Sequence, residues 1–283
     1  MKILMQAVLI LLLVPLCSHA ADRDNAMVQE LFSKSGLEKQ LNHLPLSIQA
    51  AFEQAEQQVR YLRSLPKRVT EIIKTQARES FRPESLKPII LGELAGKLSS
   101  SDMRKVLAWL NTPLGKKCTR LEEAASSPEA YAEMQEYAAS LKKTAPTATR
   151  LDALKKFDSA ARITETGIDT VMSMQVAVAF AITATLPTEQ QMSLERIAAE
   201  IEKNRPEIEP DIAAQTLVSL LYTYRSLTDA ELREYTAFVS SPAGVKYHDI
   251  ASDALKKAIM NGSFAWGTAI GEALKEERKR SDT

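Results

Sequence analysis

The sequence predicts an all-α protein, a helical bundle built from two tandem pseudo-symmetric repeats. Three observations lead to this prediction. Apolar residues recur at a period of 3.6 rather than 2 residues, helix-favouring residue types are abundant beside 9 Gly, and one motif occurs twice. The hairpin dipeptide Asn261-Gly262 has no alternating strands beside it, so we interpret it as a helix end or bend.

Residues 1–20 have the pattern of a signal peptide. Lys2 precedes an uncharged apolar stretch that ends at Leu16, and the small residues Ser18 and Ala20 suit cleavage after Ala20. The stretch is shorter than the ~20 apolar residues that a membrane-spanning helix needs. We therefore expect export to the periplasm with no membrane span after cleavage, and retention as an anchor is the alternative.

The charge balance of the chain argues against a nucleic-acid partner, and its cysteine content excludes an internal disulfide. The chain has 36 basic and 36 acidic residues, and loss of Lys2 with the signal leaves 35 basic ones, so we expect no nucleic-acid partner. Cys118 is then the one remaining cysteine, which excludes a disulfide within the mature chain. Stability must come from the burial of apolar side chains.

The first helices are predicted from their stop signals. Residues 27–35 form a short amphipathic pattern that ends at Gly36, and residues 37–44 form another that we expect to end before Pro45. Glycine accepts the left-handed conformation of a helix end, and proline lacks the N–H that continues a helix.

A helix begun by proline is predicted before each copy of the motif. Pro83–Leu98 leads into the first copy, and Pro210–Leu227 is expected to lead into the second. Between them, residues 144–149 carry no charge and no apolar period. This segment divides the mature chain into repeat 1, residues 21–146, and repeat 2, residues 147–283.

The motif itself comprises residues 98–117 (copy 1) and 227–246 (copy 2), which align without a gap at an offset of 129 positions, from 98 to 227. We call two residues equivalent when this offset separates them. Ser99 and Thr228 are predicted N-cap residues, each followed three positions later by an acid. Thr228 with Glu231 fits the capping box.

The middle of the motif predicts a corner between two helices. Thr112-Pro113 and Ser241-Pro242 each place a capping hydroxyl before a proline at the first helical position. Gly115 and Gly244 follow in the first turn, where a missing side chain lets another helix come close. Aromatic residues widen the apolar stripe of the helix before the corner, namely Trp109 in copy 1 and Phe238 in copy 2.

These residues resemble a bacterial family called domain of unknown function 2059. Its members carry an L-T-x-x-E-L helix start and an S-P-x-G-x-K turn, which copy 2 matches at 227–232 and 241–246. Copy 1 departs from the pattern at Thr112 and at Trp109-Leu110. The resemblance implies a helical domain of exported envelope proteins in Gram-negative bacteria, and it implies no catalytic residues.

An uncharged segment, residues 170–188, approaches the length of a membrane span. Polar residues such as Ser173 and Gln175 dilute its apolarity, so a helix buried in the bundle or in a dimer interface is preferred. Gly267 and Gly271 have G-x-x-x-G spacing, which we interpret as a tight helix crossing.

Residue types for catalysis and metal binding are scarce. The mature chain offers His43, His248 and Cys118, without H-x-x-x-H or C-x-x-C spacing. We interpret His248 as a surface or helix-end residue and Cys118 as a core thiol. Pairs of acids are interpreted as solvated faces, namely Glu122-Glu123 and Glu200 with Glu202. We predict no catalytic residue, no metal site and no cofactor.

Two sets of residues are candidates for binding. Aromatic side chains that face the groove between the repeats are the candidate ligand site: Trp109, Phe180, Tyr222, Tyr224 and Phe238. Basic residues at equivalent positions are the candidate partner or anion site: Arg104, Lys117, Arg233 and Lys246. For the basic set, solvated side chains that pair with nearby acids are the alternative.

The sequence favours a non-enzymatic binding or assembly module of the cell envelope, whose partner is an envelope protein or a second copy of the chain. The alternative is a carrier of an apolar or lipid-like ligand between the two repeats. An enzyme of unfamiliar type is the third hypothesis. These hypotheses follow from a strongly specified scaffold with few catalytic residue types.

Overall fold

The computed structural model describes residues 16–58, 66–127, 129–183 and 190–281. Over these ranges the chain forms helices and no strands, which confirms the predicted all-α fold. The first fifteen residues of the predicted signal lie outside the described residues, and the other five belong to the first helix. In chain order the helices are α1 (Leu16–Lys34), α2 (Leu37–Gln58), α3 (Lys67–Ser80), α4 (Pro83–Lys97), α5 (Ser100–Leu110), α6 (Pro113–Ala125), α7 (Ala130–Leu141), α8 (Ala148–Ala161), α9 (Ile163–Thr183), α10 (Leu194–Glu202), α11 (Arg205–Thr223), α12 (Asp229–Val239) and α13 (Pro242–Ser281).

The predicted stop at Gly36 is confirmed, whereas the predicted stop before Pro45 is wrong. Gly36 has a φ of 81°, a left-handed conformation in the turn between α1 and α2. Pro45 lies inside α2, although its missing N–H costs a helix about 3 kcal/mol or more. The helix continues because side chains on both sides of the proline are buried on one face, among them Leu41 and Ile48.

The predicted start of a helix at Pro210 is also wrong. Helix α11 begins at Arg205, Pro206 occupies the first turn where a proline costs little, and Pro210 lies inside the helix. The first of the two prolines therefore takes the initiating role. In repeat 1 the predicted start at Pro83 is confirmed, because α4 begins there.

The Asn261-Gly262 pair does not end a helix, so that part of the interpretation is wrong, and a bend there stays a prediction. Both residues lie within α13, which runs without interruption from Pro242 to Ser281. A Cβ atom on Gly262 would lie 2.7 Å from Cδ1 of Phe81 and 3.0 Å from the carbonyl oxygen of Ser80. The glycine is therefore the point at which α13 crosses the end of α3.

Two clusters of buried apolar side chains form the core, and both combine the two predicted repeats. The first cluster joins α1 to α5 with α13, and the second joins α6 with α8, α11 and α12. Helix α13 of repeat 2 therefore completes a core of repeat 1. Helix α6 of repeat 1 reaches the other core through Cys118, which is 1% exposed. The boundary at residue 146 stays a prediction.

Helix α9 contains most of the uncharged segment, and residues 184–188 of that segment lie outside the described residues. It packs on α11 and α13 as a helix of the bundle. A Cβ atom on Gly267 would lie 2.6 Å from the carbonyl oxygen of Ala177, so the predicted tight crossing is confirmed at that glycine. Within the described ranges, no helix combines the length and the apolarity that crossing a membrane requires.

Candidate functional site

Both copies of the motif begin with the predicted N-caps. Ser99 Oγ accepts a hydrogen bond from the backbone N–H of Asp102 at 3.1 Å. Thr228 Oγ1 accepts one from the N–H of Glu231 at 3.2 Å, and the Glu231 carboxylate accepts from the N–H of Thr228 at 2.8 Å. The capping box in copy 2 is therefore confirmed, and α5 and α12 begin at equivalent residues.

The corners close through a second pair of caps. Thr112 Oγ1 accepts from the N–H of Gly115 at 2.9 Å, and Ser241 Oγ accepts from the N–H of Gly244 at 3.1 Å. A Cβ atom on either glycine would collide with the carbonyl oxygen of an aromatic residue in the preceding helix. The glycines thus let the second helix of each corner pack on the first helix of the same corner.

Ion pairs connect the two corners reciprocally. Lys117 Nζ lies 2.7 Å from Oε1 of Glu231, and Lys246 Nζ lies 2.6 Å from Oδ2 of Asp102. Lys117 is equivalent to Lys246 and Asp102 is equivalent to Glu231, so each lysine binds the capping acid of the other copy. Reciprocal pairs of this kind are typical of an isologous interface, in which two copies of the same surface bind each other.

An aromatic stack lies at the centre of this interface. The rings of Trp109 and Phe238, which are equivalent residues, have centroids 4.6 Å apart and planes 9° apart. Trp109 also stacks on Tyr235, with centroids 5.8 Å apart. The aromatic residues that widen the predicted apolar stripes therefore join the two corners.

A cleft of about 520 Å³ lies beside this stack. Its lining residues come from both predicted repeats, from α2, α5 and α6 in repeat 1 and from α8, α9, α11, α12 and α13 in repeat 2. Large apolar side chains line it, including Val106, Trp109, Leu110, Phe157, Leu220 and Phe238. The volume is within the range of 300–1,000 Å³ typical of small-molecule sites.

Glu122 is the carboxylic acid of the cleft, and its interpretation as part of a solvated face is wrong. The hydroxyls of Tyr224 and Tyr235 both donate to its Oε1 atom, each at 2.7 Å. Burial raises the pKa of the Glu122 carboxyl, and the two phenol donors oppose this shift because they stabilise the ionised form. The acid is directed inward because it follows Cys118 by four residues and shares the buried side of α6.

His248 also lines the cleft, and its interpretation as a surface or helix-end residue is wrong. It lies inside α13 beside Tyr247, with ring centroids 5.1 Å apart. Burial lowers the pKa of the imidazole to about 4, so the ring is neutral near pH 7. The ring is partly buried because it faces the cleft from the second turn of α13.

Cys118 is buried and free, as the prediction of a core thiol requires. Burial raises the pKa of the thiol to about 12, and the nearby Glu122 carboxyl adds to the shift. The thiolate, which is the nucleophilic form of cysteine, is therefore disfavoured.

The structure brings together three of the five predicted aromatic ligand residues. Trp109, Tyr224 and Phe238 line the cleft. Phe180 lies elsewhere, where it stacks on Phe264 with centroids 5.3 Å apart. Tyr222 is buried outside the cleft lining, because successive residues at the end of α11 point in different directions and its hydroxyl donates to Glu133 at 2.6 Å.

The four basic residues do not form one site. Lys117 and Lys246 pair with acids of the opposite copy, which agrees with the alternative that the sequence left open. Arg104 and Arg233 are exposed, and Arg233 lines a separate polar groove together with Lys156. A role for these residues in binding an anion or a partner stays a prediction.

Glu122, Tyr235 and His248 are among the residues of the cleft that sequence reasoning missed. A signal existed for the first two, because Glu122 follows Cys118 at helical spacing and Tyr235 precedes Phe238 by three residues on the same helix. The equivalent of His248 is Thr119, so the repeat gave no indication of this histidine. In the described ranges, no group of three or more His, Cys, Asp or Glu side chains is arranged to hold a metal ion.

Part of the chain matches a known bacterial family. The family described as "Uncharacterized protein conserved in bacteria (DUF2059)" matches residues 84–143, which contain copy 1 of the motif and most of α4 to α7. The predicted resemblance is thereby confirmed, while copy 2 lies outside the matched residues. Comparisons with curated proteins and with solved structures gave no match.

Proposed function

We propose that this protein is an exported, non-enzymatic carrier of an apolar or lipid-like small molecule. The proposal starts from the match of residues 84–143 to the DUF2059 family and from the geometry of the cleft. The cleft between the two corners is the observation that carries this proposal. The cleft favours the carrier, which was the alternative hypothesis from the sequence, over a module for envelope assembly.

The composition of the cleft supports a small-molecule ligand. Apolar and aromatic surface predominates in its walls, and polar groups also line it, among them Glu122, His248 and several Ser and Thr side chains. Small-molecule sites typically combine a mainly apolar lining with a few polar groups that orient the ligand.

The size of the cleft supports the same conclusion. A cleft of about 520 Å³ has room for a small molecule with a hydrocarbon part. Water fills polar cavities well, because each molecule needs two to four hydrogen-bonding partners, and it fills apolar ones poorly. Much of this wall is aliphatic or aromatic, which favours a ligand with a hydrocarbon part.

The enzyme hypothesis has one observation in its favour. Glu122 and His248 line the same cleft, and active sites often contain acids and histidines with shifted pKa values. Within the described residues, however, no hydrogen bond joins the two side chains. The thiol of Cys118 is disfavoured as a nucleophile by its raised pKa. The cleft therefore supports binding better than catalysis.

An assembly module for the envelope is the second candidate, supported by an exposed apolar patch. Met260 and Phe264 on α13 are 51% and 46% exposed, and Phe180 stacks beside them. Exposed apolar patches often mark interaction sites. Crosslinking at Met260 in intact cells tests this candidate, and recovery of no envelope protein would count against it.

Location in the periplasm is part of the proposal and depends on the predicted signal at residues 1–20. Export suits a carrier, because apolar molecules need a protein to cross an aqueous compartment. Cell fractionation with antibody detection tests this part. Accumulation of the full-length chain in the cytoplasm would contradict it.

Native mass spectrometry tests the carrier proposal directly. We expect the chain, expressed in full and purified without detergent, to retain a small-molecule adduct that organic extraction releases. Detection of the unliganded protein mass alone, in repeated preparations, would contradict the proposal.

Replacement of two different alanines on α13 by phenylalanine distinguishes a ligand bound in the cleft from one bound at the surface. Ala251→Phe introduces a ring at the cleft lining and should remove the adduct, because the added volume fills the site. Ala265→Phe adds the same ring to an exposed position of the same helix and should leave the adduct in place. Loss of the adduct in both variants would indicate a surface-bound contaminant.

A further inference from the structure

The charge of the cleft lining is one-sided. Glu122 is its carboxylic acid, and the residues that line the cleft in the described part of the chain include no Lys and no Arg. The imidazole of His248 is neutral near pH 7, because burial lowers its pKa to about 4. The cleft therefore offers a ligand one group that can carry a negative charge and no Lys or Arg side chain to carry a positive one.

Glu122 is incompletely compensated. Both tyrosine hydroxyls donate to Oε1, and Oε2 accepts no hydrogen bond from the described residues. Lys39 pairs with the neighbouring Glu123, which points away from the cleft lining. A partly buried carboxyl group without a cationic partner is costly to ionise, and a positively charged ligand group beside it relieves that cost.

The aromatic walls suit the same charge. Trp109, Phe157, Tyr224, Tyr235 and Phe238 all line the cleft beside Glu122. Aromatic rings attract organic cations through the negative charge of the ring face, at centroid distances of up to about 6 Å. A cage of aromatic residues with one carboxylate thus offers a cation both a counter-ion and polarisable walls.

We infer that the ligand of the cleft is an apolar amine, whose protonated nitrogen binds Glu122 while its hydrocarbon part packs against Trp109 and Phe238. This inference depends on the proposed carrier function and adds the chemical class of the ligand. An anionic ligand such as a fatty acid would bury its carboxylate beside Glu122 without a cation, which the low polarity of the walls penalises. A neutral alcohol would form no ion pair with Glu122.

Three probes with the same decyl chain distinguish the ligand classes. Decylamine, decanol and decanoate are titrated into the full chain near pH 7, below their micellar concentrations, and binding is followed by calorimetry and by quenching of tryptophan fluorescence. We expect decylamine to bind at least about tenfold more tightly than decanol, and decanoate to bind most weakly. Equal or tighter binding of decanol or decanoate would overturn the amine assignment and leave the carrier function standing. Binding of none of the three would contradict the carrier function itself.

Two adjacent glutamates provide matched variants. Glu122→Gln keeps an oxygen that accepts from Tyr224 and Tyr235 but removes the charge, so decylamine should lose its advantage while the affinity for decanol stays within about twofold. Glu123→Gln makes the same change outside the cleft lining and should leave the preference for decylamine unchanged. A Glu122→Gln protein that binds decanol normally and still prefers decylamine would overturn the inference. If this variant fails to fold, the comparison of the three probes on the unsubstituted chain decides the matter alone.

Discussion

Trp109 and Phe238 occupy equivalent positions in the two copies of the motif and stack face to face, with ring centroids 4.6 Å apart. The sequence predicts each ring on the apolar stripe of its own helix, and the two rings meet at the interface between the corners. The stack is also a wall of the cleft. It therefore couples the packing of the two repeats to the proposed binding site.

This stack predicts an energetic coupling between the two residues. In a double-mutant cycle of Trp109→Leu and Phe238→Leu, measured by urea unfolding, we expect a coupling of about 1 kcal/mol because stacked aromatic pairs contribute beyond their buried area. The control cycle pairs Trp109→Leu with Phe180→Leu, since Phe180 stacks on Phe264 instead, and its effects should add. Additivity in both cycles would show that the stack contributes no specific energy.

Two helical glycines predict opposite effects of the same substitution. Gly262→Ala should destabilise the protein by about 1–3 kcal/mol, because the new Cβ atom would lie 2.7 Å from the Phe81 ring and 3.0 Å from the Ser80 carbonyl oxygen. Gly92→Ala, in α4, meets no atom within 4 Å and should stabilise by about 0.5–1 kcal/mol through helix propensity. The measurement is again the free energy of unfolding in urea. If Gly262→Ala were as stabilising as Gly92→Ala, the close crossing of α13 and α3 would be refuted.

The cleft histidine predicts a pH dependence of stability. The pKa of His248 is lowered from 6.5 to about 4 in the folded chain, so between these values the unfolded chain binds a proton that the folded chain does not. Its contribution is therefore fully present above pH 6.5 and is lost as the pH falls towards 4. From pH 7 to pH 5 the loss attributable to this group is at most about 2 kcal/mol.

The variant His248→Gln tests this dependence, because an amide does not titrate. Its free energy of unfolding should fall less between pH 7 and pH 5 than that of the unsubstituted chain, by up to about 2 kcal/mol. Urea titrations at both pH values, with circular dichroism as the probe, measure the difference. The same fall in both proteins would mean that the imidazole is solvated in the folded state.

The helix starts at the corners were predictable because they depend on neighbouring residues alone. A hydroxyl accepts an N–H three residues later at Ser99, Thr112, Thr228 and Ser241, as the caps in the sequence predict. The burial of Cys118 was likewise predictable from the 3.6-residue period of α6. The family resemblance rested on the same local motif.

The contents of the cleft were only partly predictable. Trp109, Tyr224 and Phe238 were foreseen as aromatic residues facing the other repeat, while Phe180 and Tyr222 belong to other contacts. Glu122 was assigned to solvent because adjacent acids usually lie on an exposed face. Its inward position depends on the hydroxyls of Tyr224, which follows α11, and of Tyr235 in α12, which are about a hundred residues away in the chain.

By itself the sequence determined that the fold is all-α and where the helices of each corner begin, while the pseudo-symmetry of the two repeats stays a prediction. These properties follow from hydrogen bonds and side-chain spacing within one or two helical turns. Only the tertiary structure decided that α2 continues through Pro45, that α13 continues past Gly262, and that Glu122 faces an interior cleft. Each of these outcomes depends on which distant surface the residue meets, because burial against that surface outweighs the local preference of the backbone or the charge.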